Sequence, residues 1–305
     1  MPSHLRALLV LAVAVKCGGS VFADDKTPEP GEEIELDLGT DVKLRLCWVP
    51  AGKFTMGSPK NEAGRERDES EHEVEISGFW MGKYHVTQRQ YVKTSGKANP
   101  SYYCSTGDGK NRVLGINTDD FPVEWVSWEE ARKWTEDLNR KIADGKVKVP
   151  ARWKSWELSL PSEAQWEYAV RGGRGNGQAY YWGNEANGKQ ANCYGGFPYG
   201  TNTKGPYIKR TTKVGSYEKV APHPWGLCDM SGNVWQWCLD IYDPYENAPK
   251  KKDPVQLTGL AEHGVVMRGG SWEENPWNCR SASRDWIGKM GHREDIGFRV
   301  CFRLD

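Results

Sequence analysis

The chain has 305 residues, with 41 Lys+Arg against 41 Asp+Glu and a formal net charge of zero. That balance supplies no long-range field for nucleic acid or for an anionic membrane surface, so neither is expected as a partner. Fifteen Trp and 34 Gly are high for this length, a composition that suits a loop-rich fold held by aromatic clusters with glycines at its turns.

Met1 to Arg6 carry positive charge, Leu8 to Val15 are apolar, and Val21-Phe22-Ala23 ends in small-residue style. Residues 1–23 therefore read as a secretory signal peptide, and the protein is expected to be exported, periplasmic or secreted. The apolar run is shorter than the roughly 18 residues a membrane span needs, and no later stretch is longer. Lys16 before Cys17 is the wrong residue for a lipidation site. Residues 24–40 read as an acidic Pro/Gly-containing leader, and 41–305 as one domain. The domain keeps Cys47, Cys104, Cys193, Cys228, Cys238, Cys279 and Cys301. In an oxidising compartment disulfides are the default, and an odd count leaves one thiol over. No Cys-x-x-Cys occurs, and His72, His85, His223, His263 and His292 lack zinc-ligand spacing.

Leu44 to Ser58 alternates apolar and polar residues around Pro50-Ala51-Gly52, which predicts two short strands, and Val74 to Val86 continues the pattern. Asn61 to Glu73 is mostly charged and reads as a solvated loop. Thr87 with Gln90 predicts a helix start. Ser127 with Glu130 is a capping box, followed by Ala131, Trp134 and Leu138 at helical spacing. Ser162 with Gln165 repeats the device, and Gly172-Gly173 ends that helix. The glycines from Gly172 to Gly177 follow a helix and open none, which argues against a phosphate loop. From Tyr180 to Asp240 almost no helical period remains.

Two segments carry the strongest signal: His223 to Cys238, containing Gly232-Asn233-Val234-Trp235-Gln236-Trp237, and Arg268-Gly269-Gly270-Ser271-Trp272 through Arg280. With Trp48 to Gly52, the two capped helices and Ile296-Gly297-Phe298-Arg299-Val300, they closely resemble the formylglycine-generating enzyme, or sulfatase-modifying factor, family. The resemblance runs from about Leu44 to the end. It implies a single α+β domain, loop-rich, low in secondary structure and C-type-lectin-like.

In the oxygenase members of that family, two cysteines placed three and eight residues after the Gly-Gly-Ser serine bind copper(I), which activates dioxygen against a substrate cysteine. Counted from Ser271, those positions hold Glu274 and Cys279. A carboxylate is a hard ligand and does not replace a thiolate on soft copper(I), so copper is not expected. Counted back from Arg280 to Arg284, neither catalytic cysteine remains. The candidate catalytic residues are Ser271, Glu274 and Cys279, and the resemblance implies a substrate cleft of Trp235, Trp237, Trp272, Trp277, Arg280 and Arg284. Glu273 and Glu274 read either as acid/base groups in a Trp-lined cleft or as solvated loop charges. Cys279 reads either as a reactive thiol or as a disulfide partner of Cys238, since the family fold implies that their segments lie side by side. Cys47 with Cys301 is a second candidate pair.

The resemblance also implies calcium. One site maps to Ser231, Gly232, Val234 and Gln236, where Gln replaces a charged Glu, and a second to Asn192, Cys193 and Ile208, where Pro206 stands for an expected Asp. Three functions stay open: an exported domain of this family that binds or oxidatively matures a peptide without the two-thiol reaction, a genuine sulfatase-activating oxidoreductase, and a lectin-like binding module. The expected partner is a peptide or protein, a sulfatase among the candidates. Related exported members acting on other substrates, as in siderophore chromophore maturation, support the first.

Overall fold

The computed structural model describes residues 26–39, 41–245, 251–258 and 264–304. The expected signal peptide and His263 lie outside them.

The acidic leader is not all linker. Glu33–Asp37 alternates charged residues with Ile34 and Leu36 and forms strand β1, paired antiparallel with β2 (Lys43–Val49). Burying Leu36 at 1% exposure anchors it, so the ordered domain begins earlier than the composition indicated.

Pro50 and Ala51 break the next run into β2 and β3 (Gly52–Met56), and the break sends the two strands into different sheets. β3 pairs with β4 (His72–Ile76) as a two-stranded ribbon. β2 pairs with β5 (Phe79–Gly82). That sheet is completed by β6 (Glu157–Ser159) and the last strand, β11 (Cys301–Arg303), in the order β1-β2-β5-β11-β6. A second sheet has the order β10-β7-β8-β9, from β7 (Trp235–Ile241), β8 (Val265–Arg268), β9 (Arg284–Ile287) and β10 (Ile296–Gly297).

The three helices start where capping residues place them. α1 (Gln88–Ser95), α2 (Trp128–Ala143) and α3 (Glu163–Arg171) each carry a complete capping box, at Thr87/Gln90, Ser127/Glu130 and Ser162/Gln165. Each box satisfies two otherwise orphaned backbone donors. α3 stops at Gly172, whose φ of 59° is open to glycine at little cost. Tryptophans bind the layers together. Trp80 is fully buried and meets Trp48 edge-on at 5.1 Å and Trp153 at 4.9 Å.

The charged 61–73 segment is mostly exposed, as a solvated loop should be, but Glu69 turns inward. Glu69 is 0% exposed, and Arg280 donates to its Oε1 at 2.7 Å and to its Oε2 at 2.9 Å. Glu62 joins the same guanidinium, and Ser58 Oγ donates to Glu69 at 2.6 Å.

Candidate functional site

Strand β8 ends in Arg268 and turns sharply at Gly269 (φ 97°) and Gly270 (φ 69°). A Cβ at 269 would sit 2.8 Å from the Met230 carbonyl oxygen, and one at 270 would sit 2.4 Å from Cys279 Sγ. Only glycine fits this turn, which delivers Ser271 to a buried carboxylate. Ser271 Oγ donates to Asp295 Oδ2 at 2.8 Å and accepts the Glu273 N–H at 3.2 Å. Arg293 donates to both Asp295 oxygens, at 2.9 and 2.8 Å.

Carboxyl groups gather around this set. Burial pushes the pKa of Asp295 up, against the pull of Arg293 and Ser271. Partial burial raises that of Glu273 too, helped by Asp295 and Glu294. Glu124 is fully buried and is pushed up to about 8, burial outweighing the N–H groups of Tyr103 and Tyr102 that bond it at 2.9 and 2.8 Å. Trp125 beside it is held at φ 61°, a backbone state that costs an L-residue about 1–2 kcal/mol, and stacks at 5.9 Å on Tyr102. Glu274 has its Oε2 bonded by Asn278 Nδ2 at 2.6 Å. No feature of the local sequence marked Glu124 or Asp295.

A groove of about 520 Å³ opens on this side, lined among others by Asp68, Trp235, Tyr242, Asn278, Asp285 and Trp286. Trp286 is 43% exposed. Burial raises the Asp285 pKa, and Asp285 feels both Arg293 and Asp295, so the groove adjoins the Ser271 set. Of the expected cleft residues, Trp235 and Arg284 border it, but both are buried. The Arg284 guanidinium is committed to Glu163, at 2.6 and 2.9 Å, beneath the Tyr245 ring at 3.9 Å. Trp237 is core instead, fully buried with Nε1 donating to the Val126 carbonyl at 2.9 Å. Trp272 is buried against Tyr103 at 5.6 Å. Trp277 packs on Tyr199 at 4.7 Å, and Arg280 is locked to Glu62 and Glu69.

All seven described cysteines are buried free thiols. Neither expected bridge is formed. β7 does run beside β8, with Gln236 opposite Arg268. The turn at Gly269-Gly270 then carries Cys279 to a separate cluster with Cys193, Tyr180 and Tyr199, while Cys238 lies with Cys301 in another. Cys47 and Cys301 each pair with Met81, from opposite sides of β5, so a whole strand separates them. The Cys279 thiol is pushed well above its ordinary pKa by its hydrogen bond with Cys193 and by burial, which is the reverse of an activated nucleophile.

The Gln236 arm of the expected calcium site does not fit a cation. Its Oε1 accepts from Trp166 Nε1 at 2.7 Å and from the Arg299 guanidinium at 2.6 Å. Arg299 also donates to the carbonyls of Gly82 and Cys228, at 2.7 and 2.8 Å. A fixed positive charge thus already occupies the one side-chain oxygen that the site would contribute. At the second site, Asn192 Oδ1 is a buried acceptor with no hydrogen-bond partner, but Ile208 is 38% exposed. Among the described residues, no group of three or more His, Cys, Asp or Glu is arranged to hold a metal. Gln236→Glu is therefore expected to add no calcium-dependent rise in melting temperature, because the new carboxylate pairs with Arg299. A calcium-dependent shift of several degrees in that variant, read by calorimetry with and without chelator, would restore the metal reading.

The arrangement defines a class: a single loop-rich α+β domain of C-type-lectin-like type, with a glycine turn presenting a serine and its carboxylate beside an aromatic groove. Residues 41–304 match the model of the sulfatase-modifying factor enzyme 1-like domain, and the chain belongs to that family. It is 35% identical to the formylglycine-generating enzyme of Streptomyces coelicolor, over 84% of this chain and 88% of that protein. It is 27% identical to the inactive C-alpha-formylglycine-generating enzyme 2 of Bos taurus, over 87% and 90%. Among solved structures, PvdO from Pseudomonas aeruginosa superposes with a TM-score of 0.70 at 26% identity, covering 91% of this chain and all of that one.

Proposed function

We propose that this protein is an exported member of the family that binds a peptide segment of a protein substrate in the Trp235–Trp286 groove, without the two-thiol copper reaction. The observation that carries this reading is the state of the thiols. Glu274 stands where the first is required, and Cys279, 1% exposed, spends its hydrogen bond on Cys193. A linear two-sulfur copper(I) site at the serine-following loop lacks one ligand. What the groove offers instead is aromatic wall and carboxyl groups. Asp285 in the groove and Glu273 in the adjoining Ser271 set, both raised from their ordinary values chiefly by burial, are suited to donate to or exchange a proton with a bound amide or hydroxyl. No helix among the described residues is long and apolar enough to cross a membrane. A relative whose name calls it an inactive formylglycine-generating enzyme, matched over 90% of its length, supports a reading without that reaction.

The test is aerobic incubation with copper(I) and a Cys-x-Pro-x-Arg peptide, followed by mass spectrometry. The expected result is unchanged peptide. Loss of about 18 Da at the cysteine, the change from thiol to aldehyde, would overturn the proposal.

A further inference from the structure

Two of the buried cysteines stand apart from the other described ones. Cys104, Cys228, Cys238 and Cys301 bond to oxygens, at 3.4 Å to Thr106 Oγ1 and at 3.7, 3.9 and 3.5 Å to the carbonyls of Gly226, Gln236 and Leu160. Cys193 and Cys279 have no such oxygen partner and share one buried cluster with Tyr180 and Tyr199, at 3% and 1% exposure. One backbone hydrogen bond joins their loops directly, and two more hydrogen bonds hold the Cys279 loop against the neighbouring Ala179–Tyr180 segment. The Tyr194 N–H donates to the Glu274 carbonyl at 2.7 Å, the Ser281 N–H to the Ala179 carbonyl at 2.7 Å, and Tyr180 Oη to the Pro276 carbonyl at 2.6 Å. The two thiols thus share one buried cluster on loops that the backbone already ties together.

We propose that Cys193 and Cys279 are a covalent modification site, a thiol pair oxidised to a disulfide that ties the Ser271–Arg280 loop to the Ala186–Tyr199 loop. In the oxidation each thiol loses a proton, and the pair loses two electrons. A small disulfide such as oxidised glutathione accepts them: one protein thiolate cleaves its S–S bond to give a mixed disulfide and one glutathione thiol, and the second protein thiolate then cleaves the mixed disulfide, releasing the other glutathione thiol as the protein S–S bond forms. The closed fold shields both sulfurs and disfavours the thiolate at Cys279. Exchange therefore takes place while the Cys193 loop is open, during folding or local opening, and the finished bond is protected from reductant once the loop closes. The bond would hold Glu273 and Glu274 at fixed distance from the groove, since both lie within the tied loop. This inference stands whether or not the groove binds a peptide.

The experiment is refolding of the reduced full-length mature protein in a glutathione redox buffer, alkylation of remaining thiols, and non-reducing peptide mapping. We expect a linked pair of peptides carrying Cys193 and Cys279, with a mass about 2 Da below the sum of the two thiol peptides. We also expect a melting temperature higher in the oxidised than in the reduced protein. That redox-dependent shift should vanish in Cys193→Ala and persist in Cys238→Ala. Recovery of both Cys193 and Cys279 as alkylated free thiols from the folded, oxidant-treated protein would overturn the proposal, as would a linkage of Cys279 to Cys238. The mapping of the unmutated protein decides the matter even if Cys193→Ala does not fold.

Discussion

Glu167→Ala is expected to destabilise the fold by about 3–5 kcal/mol, because it strands two buried guanidinium groups at once. Glu167 is fully buried. Its Oε1 accepts from Arg171 Nε and Nη2 at 3.0 and 2.7 Å and from the Gly57 N–H at 2.9 Å, and its Oε2 accepts from Arg268. Arg268 is 0% exposed and Arg171 2%, so no water replaces the lost carboxylate. A domain stabilised by roughly 5–15 kcal/mol in all would lose a large share. Glu167→Gln, which keeps the shape and one acceptor oxygen, should cost less than the alanine. Urea denaturation checks both, and a loss under about 1 kcal/mol in the alanine variant would mean that the network is not bearing charge as the structure has it.

Trp166→Ala should cost a comparable amount, about 3–5 kcal/mol, for a different reason: it opens a cavity. Trp166 is 0% exposed and lies under the Arg268 guanidinium at 5.2 Å. Its Nε1 bonds Gln236, and a Cβ at Gly269 would come within 3.0 Å of its ring. The glycine turn that positions Ser271 thus rests on this indole. Trp166→Phe keeps most of the volume and drops the hydrogen bond, so it should cost about 1–2 kcal/mol. Equal losses in the two variants would show that the hydrogen bond, not the packing, carries the effect.

How much of this was legible in the chain depended on the distance between cause and effect. The three helix starts were readable because a capping box is complete within four residues, as at Ser162 to Gln165. The buried role of Glu69 was not, because its partner Arg280 lies 211 positions away and a run of charges reads by itself as solvated. Family resemblance found Ser271 and the turn before it, but not Asp295, which only the fold brings to the serine at 2.8 Å. The tryptophan motif told of aromatic packing, and both of its indoles are buried: Trp235, at 1% exposure, only backs the groove wall, and Trp237 bonds Val126 in the core. The thiols misled because neighbouring strands were taken as neighbouring side chains. β7 and β8 do pair, yet Cys279 belongs with Cys193.

The order β1-β2-β5-β11-β6 places Cys301–Arg303 between strands formed from residues 79–82 and 157–159. The strand that joins β5 to β6 therefore comes from far along the chain, with Cys301 paired to Ser159 across a separation of 142 positions. Until that strand is in place, β5 and β6 each present an unpaired edge, and the partly folded chain is exposed to the wrong strand partners. Contacts this remote in sequence are also slow to form. A polypeptide built this way gains from keeping its early strands apart until the distant one has docked, so closure of this sheet is the step at which mispairing is decided.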